Sequence, residues 1–355
     1  MVLKNIHRPI IVIGGVVLDI TATATSNSFQ KLLRTSTPGT VSQTLGGVGR
    51  NVCEAAMRTG APSVLLSVVG KDTAGDTIKQ QMTSLGMDTS LIKTSPSHST
   101  AVYNAFHSKD GQLISAIADM DIFDYLDLSN INDIFKKYNP SLICFDGNVS
   151  AQSMQTISVI CKSFGIPAFF EPTSIPKSLR IFESKDTILS GSIKYTSPNQ
   201  YELEAMVDTL QQQKFNTLPF NATLSTPSLS IQKKIPSIVN KVFPEAIYLS
   251  NYIPHIITKL GEDGCLYVGT CSKNDNKKIA HYFPPEIINP DTIKSVTGAG
   301  DSFVGTLLAN LQKDPFVERL DLWKSIIENG QKSAVRTLQS KLAVSDLIDN
   351  DLLVR

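Results

Sequence analysis

Short runs of β-branched apolar residues alternate along this chain with longer stretches of helical periodicity, a pattern that predicts an α/β fold around a mainly parallel sheet. The run from Ile10 to Ile20 is almost continuously apolar, as expected of a strand buried on both faces, and Asp19 interrupts it at its far end. Residues Asn51 to Gly60 read as a helix closed by a glycine, Ser63 to Val69 as the next strand, and Asp76 to Leu85 as a helix ending at Gly86. The same rhythm continues through a strand at Leu142 to Phe145, a helix over 150–163, a strand at Ile166 to Phe170 and a short strand reaching Tyr195. A helix from Gln200 to about Val207, strands at His255 to Thr258 and Cys265 to Val268, and an apolar helix opened by Thr297 to Asp301 and ending near Leu311 complete it.

Two stretches depart from the rhythm. Residues 21–45 are rich in Thr and Ser, with Pro38-Gly39 as a turn signal. Between Ser99 and Ala118, two strand-like runs flank Lys109-Asp110-Gly111, where glycine supplies the positive φ of a tight hairpin. The segments 21–45 and 99–122 are therefore expected to form a small β-sheet outside the main one, placed as a lid. Residues 208–240, rich in Gln, Asn, Ser, Thr and Pro, read as a polar insertion with at most one helix and no assigned chemistry. Without a fixed-period repeat or a clear linker, residues 1–355 are expected to form a single domain.

Composition narrows the function. Lys and Arg total 33 against 32 for Asp and Glu, so no basic surplus points to nucleic acid or a membrane surface. The apolar run near the start is far shorter than the ~20 residues of a membrane span, and no signal-peptide pattern precedes it, which makes the cytoplasm the expected location. The five cysteines form no CxxC pair and are expected to be buried, reduced thiols, while the five histidines are scattered without metal-site spacing.

Two glycine clusters carry the chemistry. Thr297-Gly298-Ala299-Gly300-Asp301 places small, permissive backbone at a helix start, where unpaired N–H groups and the helix dipole favour an anion. Phosphoryl transfer needs such fixed donors, and Asp301 stands where it can accept a hydroxyl proton; the same pentapeptide also serves as a plain glycine-rich helix start. Gly46-Gly47-Val48-Gly49-Arg50-Asn51 lets backbone approach a polyhydroxylated ligand closely, with Asn51 as donor and acceptor. A dinucleotide fold is disfavoured, because Gly14-Gly15 after the first strand lacks the third glycine of its fingerprint.

In order and spacing, roughly residues 10–340 resemble the ribokinase-like (PfkB) family of kinases: Gly46 to Gly70 is similar to one family signature and Ser295 to Leu307 to the other. Asp19, Asn199-Gln-Tyr-Glu202 and the Lys259 to Gly264 loop fall in the matching order. The resemblance implies a three-layer sandwich with a β-sheet lid. It also implies acceptor binding by Asp19, Gly46, Gly47 and Asn51, an anion hole from Gly298, Ala299 and Gly300, and Asp301 as base. ATP would meet Asn199, Lys259, Gly261, Gly264 and Thr297, with Glu202 reaching Mg²⁺ through water. A requirement for a monovalent cation such as K⁺ stays open, as does a homodimer formed through the lid. Cys53, Thr306 and Val17 depart from the family pattern, and Val17 removes an amide that many relatives carry beside the acceptor.

Leu45 to Asn51 and Ile117 to Ile122 resemble pseudouridine kinases in particular, through Arg50 and Asp119-Met120. A carbon-linked uracil presents an extra ring N–H, for which Asp119 and Asn148 are candidate readers. Asp119 equally suits a plain strand-end turn. Another acceptor (ribose, fructose or adenosine) and a non-catalytic sugar-sensing protein are the alternatives.

Overall fold

A computed structural model, describing residues 8–27, 34–213, 229–230, 235–270, 278–317 and 319–354, divides the first apolar run between two sheets. Strand β1 (Ile10–Ile13) stops at Gly14-Gly15, and β2 (Val17–Ala24) leaves for a different sheet. The remaining strands are β3 (Gly39–Gly46), β4 (Ser63–Gly70), β5 (Ile92–Ser95), β6 (Val102–His107), β7 (Leu113–Asp119), β8 (Leu142–Asp146) and β9 (Ala168–Glu171). Beyond them come β10 (Ile193–Thr196), β11 (Leu229–Ser230), β12 (His255–Lys259), β13 (Cys265–Thr270) and β14 (Lys278–Phe283).

The large sheet runs β11-β14-β13-β12-β10-β9-β8-β1-β4-β5, parallel from β12 through β5, with β13 antiparallel to both its neighbours. Its strands send alternate residues to opposite sides. Ile11, Ile13, Phe145 and Phe170 enter one core, closed by the helices Ala151–Phe164, Gln200–Gln213 and Ser237–Leu249. Ile10, Val12, Cys144 and Phe169 enter the other, closed by Val48–Arg58, Ala299–Leu311 and Leu320–Leu338. Three layers result, because a strand buried on both faces must be covered on both.

The small sheet, β3-β2-β6-β7, is built from the two segments that broke the rhythm, with Gly111 at φ 84° in the turn between β6 and β7. Residues 28–33 of the first segment lie outside the described residues. The polar insertion needs correction at both ends. Leu203, Met206, Val207 and Leu210 keep helical spacing and are buried, so their helix continues to Gln213, and a second helix starts at Ser237. The stretches 214–228 and 231–234 between them lie outside the described residues. The four described cysteines are free and buried, and Cys271 is outside the described set. No described helix is long and apolar enough to cross a membrane.

Candidate active site

In an open parallel sheet, ligands bind beyond the carboxyl ends of the strands where the order reverses, here between β1 and β8. Asp146 ends β8 at that point, buried, and its carboxylate collects four donors. These are the amides of Gly15 (2.9 Å), Gly49 (2.8 Å) and Asn148 (2.9 Å) and the Asn148 Nδ2 (3.0 Å). Burial pushes the Asp146 carboxyl upward, against these donors. The result fastens the helix Val48–Arg58 to the end of β1.

Gly47 enters that helix at φ 93°, and a side chain on it would collide with the backbone of Gly15 and Val16. A side chain on Gly46 would overlap the Asp19 carboxylate, so the glycine pair leaves Asp19 open to a ligand. Buried Arg50 holds this turn from behind: it donates to the Leu45 carbonyl and to the Gly46 carbonyl (3.3 Å) and pairs with Glu54.

Asp301 lies in the first turn of Ala299–Leu311, whose cap, Gly298, has φ 76° and would strike the Ala343 carbonyl if it carried a side chain. Asn51 joins this helix to the acceptor side: its Nδ2 donates to Asp301 Oδ2 at 2.7 Å. Its Oδ1 is buried without a hydrogen-bond partner. Burial pushes Asp301 upward, opposed by Asn51, Lys259 and Arg50, and pushes Asp19 up to about 6, opposed by Arg50.

Lys259, ending β12, places its Nζ 3.1 and 3.2 Å from the two carboxylate oxygens of Glu171. The same Nζ lies 3.7 Å from where a Cβ on Gly300 would stand. Burial would lower the Lys259 pKa, but Glu171, Glu202 and Asp301 outweigh it and raise it. Glu171 is pushed up to about 8 by burial despite Lys259. The neighbouring carboxylates therefore hold the Lys259 side chain as an ammonium. Asn199 and Glu202 cap their helix reciprocally: Asn199 Oδ1 accepts from the Tyr201 and Glu202 amides (2.9 Å each), and Glu202 accepts from the Asn199 amide (2.8 Å). The Lys259 amide donates to Pro198 (2.9 Å), joining that cap to β12. Gly261 and Gly264 both take positive φ in the loop beyond, and Thr297 stands exposed beside Gly298.

Asp19, Gly46, Gly47, Asn51, Asn148, Asn199, Glu202, Lys259, Gly298, Ala299, Gly300 and Asp301 thus share one edge of the sheet. Asp119 does not join them. Asp19 is registered with Tyr103, and Tyr103 with Ala118, so these three share a face; Asp119 pairs with Val102, exposed on the opposite face. The alternation of a strand, which the hairpin sequence alone cannot phase against β2, sets Asp119 on the face opposite Asp19. Of the departures, Thr306 is accommodated by a hydroxyl contact with Thr59 (3.1 Å), Cys53 is buried, and Val17 packs in the core beside the site. Sequence reading missed Asp146, Glu171, Lys177 and Tyr103. For the two acids a signal was available, because each ends an apolar parallel strand just as Asp19 follows one.

The model of the pfkB family carbohydrate kinases matches residues 8–347, and the chain belongs to that family. A pseudouridine-metabolizing bifunctional protein of Schizosaccharomyces pombe is 29% identical over 95% of this chain and 46% of its own length, so the chain spans about half of that relative. A pseudouridine kinase of Arabidopsis thaliana is 25% identical, over 89% of this chain and 87% of that protein. Among solved structures, Arabidopsis thaliana ribokinase complexed with ribose and ATP superposes with a TM-score of 0.70 over 97% of both chains at 16% identity. The fold is that of the ribokinase-like kinases.

Proposed function

We propose that the chain transfers the γ-phosphate of ATP to the 5′-hydroxyl of pseudouridine. The observation that carries this reading is the Asn51–Asp301 contact at 2.7 Å, with a partnerless Asn51 Oδ1 beside it. A hydroxyl placed there donates to Asn51 or Asp301, and Asp301, held in a desolvated setting, takes its proton as the oxygen attacks phosphorus. The ribose hydroxyls bind Asp19 and the Gly46-Gly47 backbone. Growing charge on the transferred phosphate meets the free amides of Gly298, Ala299 and Gly300 and the Lys259 ammonium.

Mg²⁺ neutralises charge on the phosphates when bound. Glu202 would reach it through water, with the nucleotide's own oxygens as ligands. The small sheet lies over the acceptor side through Asp19, Tyr103 and Thr44 and serves as a lid that excludes water. Pseudouridine, rather than a plain sugar, is favoured by the two relatives named for it and by Arg50, whose grip on Leu45 and Gly46 shapes the acceptor turn.

The test is a panel of pseudouridine, uridine, adenosine, ribose and fructose with ATP and Mg²⁺, each product identified by mass and by the position of its phosphate. Pseudouridine 5′-phosphate should form with the highest kcat/KM. A higher value for a free sugar would reassign the acceptor, and no phosphorylated product from any of them would remove the kinase reading.

A further inference from the structure

Beyond the acceptor residues, the chain leaving β9 crosses the end of β8. Thr173 takes φ 72°, an outlier for a β-branched residue, and is pinned there by the Gly147 amide donating to its hydroxyl at 2.9 Å. The turn it makes brings Lys177 over Gly147, where a side chain on the glycine would collide with the Lys177 Cβ. Lys177 is half-buried. Its Nζ donates to Asn148 Oδ1 at 2.5 Å and meets Met120 Sδ at 3.8 Å, and it forms no ion pair among the described residues. An ammonium has three donors, so at least one N–H remains for a ligand. Of the charged groups around it, Asp146 and Asp124 favour its charge and Arg180 opposes it, while burial is the larger influence and lowers its pKa.

The position matters because Asn148 belongs to the network beneath the acceptor site. Its Nδ2 binds Asp146, which holds Gly15 and Gly49, and Gly15 lies against both Gly47 and Asn148. Successive contacts join Asp301 to Asn51, Asn51 to Gly47, Gly47 to Gly15, Gly15 to Asn148 and Asn148 to Lys177. With the 5′-hydroxyl at Asp301 and the ribose at Asp19 and Asn51, a base lying along this series of contacts would meet Lys177. We propose that Lys177 is a specificity-determining residue that donates to a carbonyl oxygen of the acceptor's pyrimidine-dione ring. This inference rests on the nucleoside reading given above. A free sugar offers nothing at that position, so the lysine discriminates between acceptor classes.

The test compares kcat/KM for pseudouridine and for ribose in wild type, Lys177→Met and Lys177→Arg, with ATP affinity as a check on folding. A hydrogen bond from a charged group supports a fall of roughly 10- to 100-fold in the pseudouridine-to-ribose ratio for Lys177→Met, with partial recovery in Lys177→Arg. An unchanged ratio, whether both activities drop together or neither does, overturns the inference and leaves the lysine a structural prop for Asn148. Independently of any variant, pseudouridine should shield Lys177 of the wild-type protein from an amine-acylating reagent, read by peptide mass, where ribose does not. Equal labelling with and without pseudouridine overturns it too. A wild type that prefers ribose outright shows that the nucleoside reading itself has failed, which separates the two failures.

Discussion

In the proposed site Asp19 accepts sugar hydroxyls as a carboxylate, and its burial, opposed by Arg50, raises its pKa to about 6. Half a unit below that value roughly a quarter of the molecules retain the charge, so the acceptor KM should rise about fourfold at pH 5.5 relative to pH 7.5. Asp19→Asn should bind acceptor poorly at every pH and lack this rise; a KM in that variant with wild-type pH dependence would assign the titration elsewhere. Asp19, Asn51 and Asp301 were all legible in the sequence, because glycine clusters and a strand-ending acid announce backbone that a ligand approaches. Lys177 was not, since its meaning depends on which loops the strand order brings beside it. The face that Asp119 occupies was not legible for a related reason: a one-residue change of phase transfers a side chain to the other face.

At the scale of elements, the helix Ala299–Leu311 is aimed by its cap. Ala at position 298 would have to adopt a left-handed conformation and displace the Ala343 carbonyl. Gly298→Ala should therefore lower kcat at least 100-fold while ATP still binds, measured by steady-state kinetics beside calorimetry. Wild-type kcat in that variant would show that the glycine turn does not shape the anion hole. In the core on the same side of the sheet, Tyr195, His255, Tyr267 and Trp323 stack together, with His255 Nδ1 2.9 Å from the Tyr267 hydroxyl. Burial lowers the His255 pKa to about 3 from an ordinary 6.5. Between those values the unfolded chain binds the extra proton, so His255 costs stability as pH falls below 6.5. Denaturant titrations should find that His255→Gln loses roughly 1–2 kcal/mol less than wild type between pH 7 and pH 5. Equal losses would mean that the imidazole is protonated in the fold. The alternation of strand and helix was readable from apolar spacing, whereas the break at Gly14-Gly15, which sends β2 to the small sheet, was hidden inside a continuous apolar run.

Over the whole molecule, one site is drawn from residues as far apart in sequence as Asp19 and Asp301, and the parallel sheet is what gathers them at one edge. The near balance of acidic and basic residues leaves no global field to attract a polyanion, so in the proposed site the phosphates depend on a few fixed amides and the Lys259 ammonium. In the proposed reaction Asp301 removes the acceptor's proton. Its most direct test is the turnover of ATP with pseudouridine by Asp301→Asn, alongside calorimetric binding of the nucleoside. Binding within a few-fold of wild type, with turnover reduced by 10³ or more, is the expected result; turnover within tenfold of wild type would contradict it.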